Sequence, residues 1–513
     1  MPSRRTYSSS LAQLLKGICK VPSALDTYVS GLAIDSRLVK QGDLFLAMSG
    51  NHTDSTDHIK EAILKGANAV VAEGLVNQGN AFEDGLVVEL FVDNLKANIG
   101  VIADRFFRSP SQDLAVIGVT GTNGKTSVTN YLASYFAYNN HVSAVIGTLG
   151  YGLVNNEGHK LKETGFTTPN VVDVHRCLAE LRDAGAQTVF MEVSSHGLSQ
   201  GRVDGVQFDG AVFTNLTREH LDYHGTMAEY AASKFKLFQR EGLKFAVVNE
   251  DDDYASQLIE EIAPEVRVFT YGVKSASDVA VNAYELNVHS ASSISADVTT
   301  PVGALGINSG LIGLFNLSNL LAVLTVAVAK QELKDCEQRI QGIQAVKGRM
   351  QVVQTKNMPV AIVDYAHTPD ALRNALEAIK PHCQGKLIVV FGCGGDRDNG
   401  KREEMAKVAA QLAELSVVTN DNPRTEAPEK IIGDIIKGFD QTGHVYLIEA
   451  DRRKAISLAF KRASSADVIL IAGKGHETWQ DVNGERVHFS DIEEVERILG
   501  LSTAETSQIE ERV

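Results

Sequence analysis

Cysteine is scarce in this sequence, and the few cysteines lack the spacing of a metal or redox site. Five occur in 513 residues, and no two of them form a C-x-x-C pair. An odd number of scattered thiols disfavours a disulfide framework and favours a reducing compartment. We therefore predict a cytoplasmic protein. The five are Cys19, Cys177, Cys336, Cys383 and Cys393.

Positive charge and long apolar runs are also in short supply. The 49 Lys and Arg residues are outnumbered by 64 acidic ones, and the resulting formal charge of −15 repels a nucleic-acid backbone. The longest apolar run, LLAVLTVAVA at 320–329, is too short to cross a bilayer, and the N-terminal segment has no sustained apolar core of a signal peptide. We predict a soluble protein that binds neither nucleic acid nor membranes.

The order of apolar runs predicts an α/β fold. The length corresponds to about three domains. Apolar strands alternate with helical patterns in all three regions, which is typical of parallel sheets covered by helices. We predict a small N-terminal α/β domain over 1–112, a central parallel-sheet domain with a phosphate-binding loop over 113–343, and a Rossmann-like α/β domain over 344–513.

The segment GVTGTNGKTS at 118–127 is typical of a phosphate-binding loop between a strand and a helix. Gly121 and Gly124 allow backbone amides to point at oxyanions, Lys125 supplies positive charge, and the Thr126 hydroxyl suits the Mg²⁺ that accompanies ATP. The match to G-x-x-x-x-G-K-[ST] is imperfect because Val119 takes the place of the first glycine. A glycine-rich turn without a ligand is the alternative.

Four further polar positions are ambiguous from spacing alone. Glu192 ends an apolar strand, where open α/β sheets bind their ligands, although a turn-capping carboxylate is the alternative. His220 and His224 have the i,i+4 spacing of a zinc pair, but neither an H-E-x-x-H motif nor a third ligand accompanies them. Spacing alone makes Lys234 a solvated helix lysine, like its neighbour Lys236.

Many motifs occur together in a recognisable order between about residues 35 and 480. They include GVTGTNGKTS, TTPN, EVSSHGLSQGR, TNLTREHLDYHG, YAASKFKLF, GLFNLSNLLAV, GRM, DYAHTPD, GCGGDRD, DNPR and GKGHE. Together they resemble the Mur ligases. The resemblance implies an ATP-dependent ligase of peptidoglycan synthesis that activates a carboxylate as an acyl phosphate. The three domains would then bind the UDP-substrate, ATP and the incoming amino acid, in that order along the chain.

The resemblance implies a role for each residue of the nucleotide and metal site. The catalytic residues would be Lys125, Glu192, His220, Lys234 and His367. The metal would be Mg²⁺, held by Thr126, Glu192, His220 and Lys234, the last as a carbamate, whereas His224 would be structural. ATP would contact Gly121, Thr122, Asn123, Gly124, Lys125, Thr126, Ser127, Asn316, Asn319, Arg349 and Asp364.

The resemblance also implies the two other substrates, UDP-N-acetylmuramoyl-L-alanyl-D-glutamate and meso-diaminopimelate. The first would contact Ser36, Thr167, Thr168, Ser194, Gln200 and Arg202. At Asn51 and Ser55 the sequence departs from the family motif, so the resemblance does not say which residues contact uracil. Diaminopimelate would contact Arg397, Asp421, Asn422, Pro423, Arg424, Gly473 and Glu477.

Selection of the amino acid depends on the DNPR motif. The Arg424 fork suits the distal carboxylate of diaminopimelate and repels the ammonium group of lysine. Without the family motifs, DNPR would be an ordinary turn. A lysine-adding ligase, a folylpolyglutamate synthase and a ligase-like protein without turnover remain alternatives. No partner protein is implied, and the oligomeric state, carbamylation, kinetic order and domain arrangement stay open.

Overall fold

The computed structural model describes residues 6–48, 55–74, 80–81, 87–138, 141–155, 158–159, 161–286, 293–440 and 442–501. The chain divides into two compact units. The first comprises residues 1–271 and 325–331, and the second comprises 272–324 and 332–513. No helix in the described ranges combines the length and apolar character needed to cross a membrane.

The N-terminal part of the first unit is a five-stranded sheet of order β3-β4-β5-β7-β6 with a separate β1-β2 ribbon. Strands β3, β4, β5 and β7 are parallel, and β6 is antiparallel to β7. The strands are β1 (Ser9–Ser10), β2 (Tyr28–Val29), β3 (Gly31–Ala33), β4 (Asp43–Ala47), β5 (Ala69–Glu73), β6 (Asn80–Ala81) and β7 (Val88–Val92). The helices are α1 (Leu11–Leu14), α2 (Ser55–Leu64) and α3 (Leu95–Phe106), with 3₁₀ turns at Ser23–Leu25, Ser36–Leu38 and Pro110–Gln112.

The remainder of the first unit contains eight strands in the order β11-β10-β9-β12-β8-β13-β14-β15. Strands β9, β12, β8, β13, β14 and β15 run parallel. The strands are β8 (Ala115–Thr120), β9 (Ser143–Gly147), β10 (Gly150–Asn155), β11 (Gly158–His159), β12 (Thr188–Glu192), β13 (Gly210–Phe213), β14 (Phe245–Asn249) and β15 (Arg267–Gly272). The helices are α4 (Lys125–Phe136), α5 (Val171–Asp183), α6 (Ser195–Ser199), α7 (Leu221–His224), α8 (Met227–Phe235) and α9 (Ala255–Glu261).

The second unit contains three antiparallel strands and a six-stranded sheet of order β19-β20-β24-β21-β22-β23. In that sheet only β19 is antiparallel to its neighbour. The strands are β16 (Val279–Leu286), β17 (Ile294–Thr300), β18 (Gly303–Ser309), β19 (Gln351–Val353), β20 (Val360–Asp364), β21 (Leu387–Phe391), β22 (Leu415–Val418), β23 (Tyr446–Ile448), β24 (Val468–Ala472) and the hairpin β25 (Trp479–Val482) and β26 (Glu485–His488).

Helix α10 (Leu314–Lys330) is divided between the units. Its residues up to Leu324 belong to the second unit, and those from Thr325 belong to the first. The remaining helices are α11 (Cys336–Gln341), α12 (Pro369–Ile379), α13 (Gly400–Leu412), α14 (Pro428–Ile436), α15 (Arg452–Arg462) and α16 (Asp491–Ile498), with 3₁₀ turns at Lys380–His382 and Lys437–Phe439. The predicted α/β class with parallel sheets is confirmed. The predicted boundaries at 112 and 343 stay predictions.

Burial on both faces explains why the strands are nearly all apolar. Every residue of β12, β14, β21 and β24 is buried, and so are all residues of β8 except its first. Such strands read as continuous apolar runs because helices cover both faces of the sheet. Polar side chains therefore gather where the strands end, which is where the candidate site lies.

Candidate functional site

The GVTGTNGKTS segment forms a tight loop between β8 and α4. Gly121 and Gly124 have φ values of +151° and +84°, which favour glycine. A Cβ atom at Gly121 would collide with the hydroxyl group of Thr214. Helix α4 begins at Lys125, so its N-terminal amides lie at the end of the loop. The predicted order of strand, loop and helix is present.

The segment after β13 holds the loop in shape. The backbone amides of Thr122 and Asn123 donate to the Asn215 carbonyl and side-chain oxygens, at 2.8 and 2.9 Å. The Thr214 hydroxyl donates to the Asn123 carbonyl at 2.6 Å. Sequence reasoning gave Thr214 and Asn215 no role. Their place directly after β13, which pairs with β8, is the signal that identifies them.

Glu192 is buried at the end of β12, with 1% of its surface exposed. Its Oε2 atom accepts hydrogen bonds from the Thr126 hydroxyl at 2.8 Å and from the Thr148 hydroxyl at 3.1 Å. Its Oε1 atom accepts one from the Thr148 amide at 2.8 Å. The structure therefore brings Glu192 and Thr126 together, as predicted, and adds Thr148, which follows β9 at the same edge of the sheet.

Two lysine side chains converge on one carbonyl oxygen of the loop. Lys125 and Lys234 both donate to the Gly121 carbonyl, at 2.8 and 2.7 Å. Lys234 is 1% exposed, and burial together with nearby Lys125 holds its pKa well below the usual value. The solvated lysine expected from spacing alone is wrong for Lys234, whereas Lys236 is exposed.

Histidine and tyrosine rings lie near Lys234. His220 has a φ of +56° at the start of α7, and its ring lies 4.8 Å from that of His196, centroid to centroid. Burial lowers the pKa of His220, so its neutral form is favoured. The Tyr230 ring lies 4.4 Å from the Lys234 Nζ atom. His224 forms a 3.0 Å hydrogen bond with the Ser195 hydroxyl, which gives it a local structural contact.

The residues predicted to bind the UDP-substrate form a network beside Glu192. The Thr168 hydroxyl donates to the Glu192 carbonyl at 2.9 Å and accepts from the Ser194 amide at 3.0 Å. Arg202 donates to the Thr168 carbonyl at 2.7 Å and contacts Gln200 through two nitrogens, at 2.9 and 2.7 Å. Five of the six predicted residues thus gather here, with Thr167 linked through a 3.1 Å hydrogen bond with Thr148.

Ser36 and Ser55 lie in the N-terminal part of the first unit. The Ser36 hydroxyl donates to Glu61 at 2.6 Å and lies 3.3 Å from His58 Nδ1. Ser55 begins helix α2, and Asn51 lies outside the described residues. These contacts are local to the small sheet, so the role of Ser36 stays a prediction.

The residues predicted to contact the rest of ATP belong to the second unit. The Arg349 guanidinium lies 4.4 Å from the Tyr365 ring. The Asp364 carboxylate accepts hydrogen bonds from the amides of the residues at 350 and 366, and burial raises its pKa. His367 Nδ1 donates to the Tyr365 carbonyl at 2.9 Å. Asn319 donates to the Asn316 side chain at 3.2 Å on α10.

The DNPR motif folds into a turn held by the β25–β26 hairpin. Arg424 has a φ of +52°, and its amide donates to the Asp481 carbonyl at 3.0 Å. Its guanidinium donates to the Gly395 carbonyl at 2.7 Å. Asn422 is 3% exposed and donates to Glu477 at 3.0 Å. The structure thus brings together Asn422, Arg424 and Glu477. The other predicted members are nearby in this unit: Gly473 faces Asp421, Arg397 lies beside Gly394, and Pro423 lies within the turn.

Comparison with known proteins assigns the chain to a family. The models "Mur ligase family, catalytic domain", "Mur ligase middle domain" and "Mur ligase, glutamate ligase domain" match residues 28–106, 119–327 and 348–475. A UDP-N-acetylmuramoyl-L-alanyl-D-glutamate–2,6-diaminopimelate ligase of Coxiella burnetii (strain RSA 493 / Nine Mile phase I) is 44% identical over 492 residues, which are 95% of this chain and 99% of that protein. The chain belongs to the Mur ligase family.

Two further diaminopimelate ligases of this family are similar to the chain. The protein of Chromobacterium violaceum is 46% identical over 474 residues, with 91% of this chain and 93% of that protein covered. A solved structure of a UDP-N-acetylmuramoyl-L-alanyl-D-glutamate–2,6-diaminopimelate ligase matches with a TM-score of 0.68 and 33% identity, covering 97% of this chain and 99% of that one. The resemblance deduced from the motifs is confirmed.

The oxygen atoms of Thr126 and Glu192 suit a magnesium ion in this Mur ligase. Across the described residues, no group of three or more His, Cys, Asp or Glu side chains lies close enough to hold a metal ion. Mg²⁺ commonly takes one or two carboxylates and completes its shell with substrate phosphates and water. One buried carboxylate hydrogen-bonded to a phosphate-loop hydroxyl therefore fits Mg²⁺ that arrives with a nucleotide.

Proposed function

We propose that this Mur ligase uses ATP and Mg²⁺ to join meso-diaminopimelate to the D-glutamyl side-chain carboxylate of UDP-N-acetylmuramoyl-L-alanyl-D-glutamate. The observation that carries the proposal is the buried hydrogen bond between Thr126 and Glu192 at the phosphate loop. A nucleotide phosphate at this loop would lie directly beside the only carboxylate that the loop hydroxyl contacts among the described residues. The names of the full-length relatives supply the two other substrates.

The proposed reaction has two steps, formation of an acyl phosphate and formation of the amide bond. A carboxylate oxygen of D-glutamate attacks the γ-phosphorus of ATP, ADP leaves, and an acyl phosphate results. The amine of diaminopimelate then attacks the acyl carbon, a proton is lost from nitrogen, and phosphate leaves with the bonding electrons. Bringing two anions together is the main obstacle, so positive charge and fixed geometry at the phosphates contribute most to the rate.

The residues of the first unit have defined tasks in this scheme. Lys125 and the amides at the start of α4 would hold the phosphates and neutralise charge that develops during transfer. Thr126 and Glu192, with His220, would hold Mg²⁺, which supplies further charge neutralisation at the phosphate oxygens. Thr168, Ser194 and Arg202 would orient the substrate that carries the carboxylate.

Lys234 is proposed to act as a carbamate. Its neutral amine would attack CO₂ to form N–COO⁻ with loss of one proton, which converts a neutral side chain into an anion. Burial beside Lys125 favours the neutral amine that this reaction requires. The carbamate would orient the magnesium ion, and its negative charge would lie next to Lys125. Support comes from the family resemblance and from the burial of the side chain.

The other predicted residues retain their proposed roles as substrate contacts. Arg349, Asp364 and His367 are proposed to contact ATP, together with Asn316 and Asn319. The guanidinium of Arg424 is proposed to bind the distal carboxylate of diaminopimelate, within the pocket of Arg397, Asp421, Asn422, Pro423, Gly473 and Glu477. The three-domain division and a cytoplasmic location are part of the same proposal.

The test is ADP release by the whole chain with ATP, Mg²⁺ and UDP-N-acetylmuramoyl-L-alanyl-D-glutamate. We expect release and a product of tripeptide mass with meso-diaminopimelate, little with L-lysine, and loss of both signals on chelation of Mg²⁺. A preference for L-lysine would overturn the assignment of the amino acid and keep the ligase. Absence of product with either amine would overturn the proposed reaction.

A further inference from the structure

Lys474 is a fully buried lysine in the loop between β24 and β25, with no exposed surface. Its ammonium group donates to the Asn422 side-chain oxygen at 3.0 Å and to the Glu477 carboxylate at 2.8 Å. A lysine charge removed from water is costly unless it is paired, so a fully buried ammonium needs a specific partner. Here the partners are two residues of the proposed diaminopimelate pocket.

The ammonium group fixes the orientation of the Asn422 amide. The Asn422 oxygen accepts from Lys474 and from the Asp481 amide, at 3.0 Å each. The Asn422 nitrogen donates to the Glu477 carboxylate at 3.0 Å. A flipped amide would face Lys474 with a second donor and would lose all three contacts. Lys474, together with the Asp481 amide and the Glu477 carboxylate, therefore determines which atoms of Asn422 the pocket presents.

The ammonium group of Lys474 also offsets part of the negative charge of the Glu477 carboxylate. Both hydrogen bonds to this carboxylate use Oε2, and within the described residues Oε1 accepts none. Glu477 is partly exposed, with 17% of its side chain accessible. One carboxylate oxygen is thus available for a ligand ammonium, while the adjacent lysine offsets much of the negative charge. Arg424 supplies the complementary group for a ligand carboxylate.

The geometry points to Lys474 as a positioning residue that determines amino-acid specificity. It holds Asn422 and balances Glu477, so that the pocket favours an amino acid whose far end carries both a carboxylate and an ammonium over one that carries an ammonium alone. Without Lys474, Glu477 would become an unbalanced carboxylate that attracts a lone ammonium. This inference rests on the proposed function and adds a residue outside the predicted pocket.

The test compares the wild-type chain with Lys474→Met, which removes the charge and keeps the length of the side chain. We expect the KM for meso-diaminopimelate to rise about tenfold or more and the KM for ATP to stay within about twofold. We also expect the variant to form more lysine-containing product, relative to diaminopimelate product, than the wild type. This ratio does not depend on the fraction of folded enzyme, so a folding defect alone does not change it.

Two further variants make the test decisive. Lys407→Met removes a half-exposed lysine that pairs with Glu403 and Glu404 on α13, and it should leave every constant unchanged. If Lys474→Met yields too little protein, Lys474→Gln keeps a donor amide without the charge and is judged by the same criteria.

The outcomes separate the two proposals. An unchanged KM for diaminopimelate, or an unchanged product ratio, overturns the role of Lys474. Failure of the wild-type chain to use diaminopimelate at all overturns the proposed function, and the role of Lys474 with it. If the wild-type chain uses diaminopimelate and the Lys474→Met variant has the same KM and product ratio, only the inference about Lys474 is overturned.

Discussion

Replacing Thr126 by valine removes one hydroxyl from the phosphate loop and preserves the shape of the side chain. The lost contact is the 2.8 Å hydrogen bond from Thr126 to the buried Glu192 carboxylate. Glu192 keeps its two hydrogen bonds from Thr148, so the carboxylate stays in place but loses one of three donors. The substitution therefore tests the contact on which the proposed function depends.

The expected size follows from the charge and burial of Glu192. A hydrogen bond to a charged group contributes about 1.5–3 kcal/mol, and Glu192 is 1% exposed, so we expect Thr126→Val to lower the free energy of unfolding by about 2 kcal/mol. Loss of one group that stabilises the charge developing in the transition state typically slows turnover by about a hundredfold, which corresponds to about 2.7 kcal/mol in the activation barrier. Both effects are large enough to measure.

Two substitutions on helix α4 serve as controls. Thr126→Ser keeps the hydroxyl and should retain most activity. Thr129→Val alters the next turn of α4, where the buried Thr129 hydroxyl has no hydrogen-bond partner among the described residues, so stability should be unchanged or slightly higher. Turnover is followed as ADP release, and stability by thermal unfolding. Wild-type turnover in Thr126→Val, or equal losses in Thr126→Val and Thr129→Val, would refute the reasoning.

Three other predictions address other parts of the molecule. Arg424→Lys keeps the charge but loses the planar fork, so the KM for diaminopimelate should rise at least about tenfold while that for ATP stays constant; equal changes in both would contradict the proposed contact. Lys234→Ala should abolish turnover, small carboxylates should restore part of it, and exposed Lys236→Ala should be neutral; no rescue would leave the carbamate without support. Burial lowers the pKa of His476 from 6.5 to about 4, so below pH 6.5 protons bind the unfolded chain more readily. The free energy of unfolding should therefore fall as the pH drops from 6.5 to about 4, and His476→Gln should flatten the dependence of the thermal midpoint on pH. The same pH profile in the wild type and His476→Gln would contradict this prediction.

The fold was predictable because both sheet faces are covered. The apolar runs that predict strands correspond to β8, β12, β13 and β14 in the first unit and to β20, β21, β22 and β24 in the second. Element edges were less predictable. The stretch HIKEAILKGA at 58–67 is typical of a helix, whereas α2 begins at Ser55 and ends at Leu64. The helix ends before Gly66 because the φ of +96° at this residue favours a turn.

Local motifs predicted the loop but missed the residues that shape it from elsewhere. Thr148, Thr214 and Asn215 contact the site through strands that are distant in sequence and adjacent in the sheet, and no local spacing reveals them. Lys474 was missed for a different reason. A lysine is usually exposed, and only the structure shows that this one is buried against Asn422 and Glu477.

The convergence of Lys125 and Lys234 on the Gly121 carbonyl has an electrostatic consequence. A positive charge on the buried Lys234 would repel the Lys125 ammonium with little screening by water, and this is one reason why the pKa of Lys234 is lowered and its neutral amine is favoured. Loss of the proton from Lys234 relieves this repulsion, and an anion that enters beside Lys125 would offset the charge that remains. In the proposed reaction the nucleotide phosphate would be that anion, and the neutral amine of Lys234 is the form that carbamylation would require. The electrostatics of the loop therefore favour both ligands that the proposed reaction requires, and a variant with Lys234→Met should bind ATP at least as tightly as the wild type while failing in turnover.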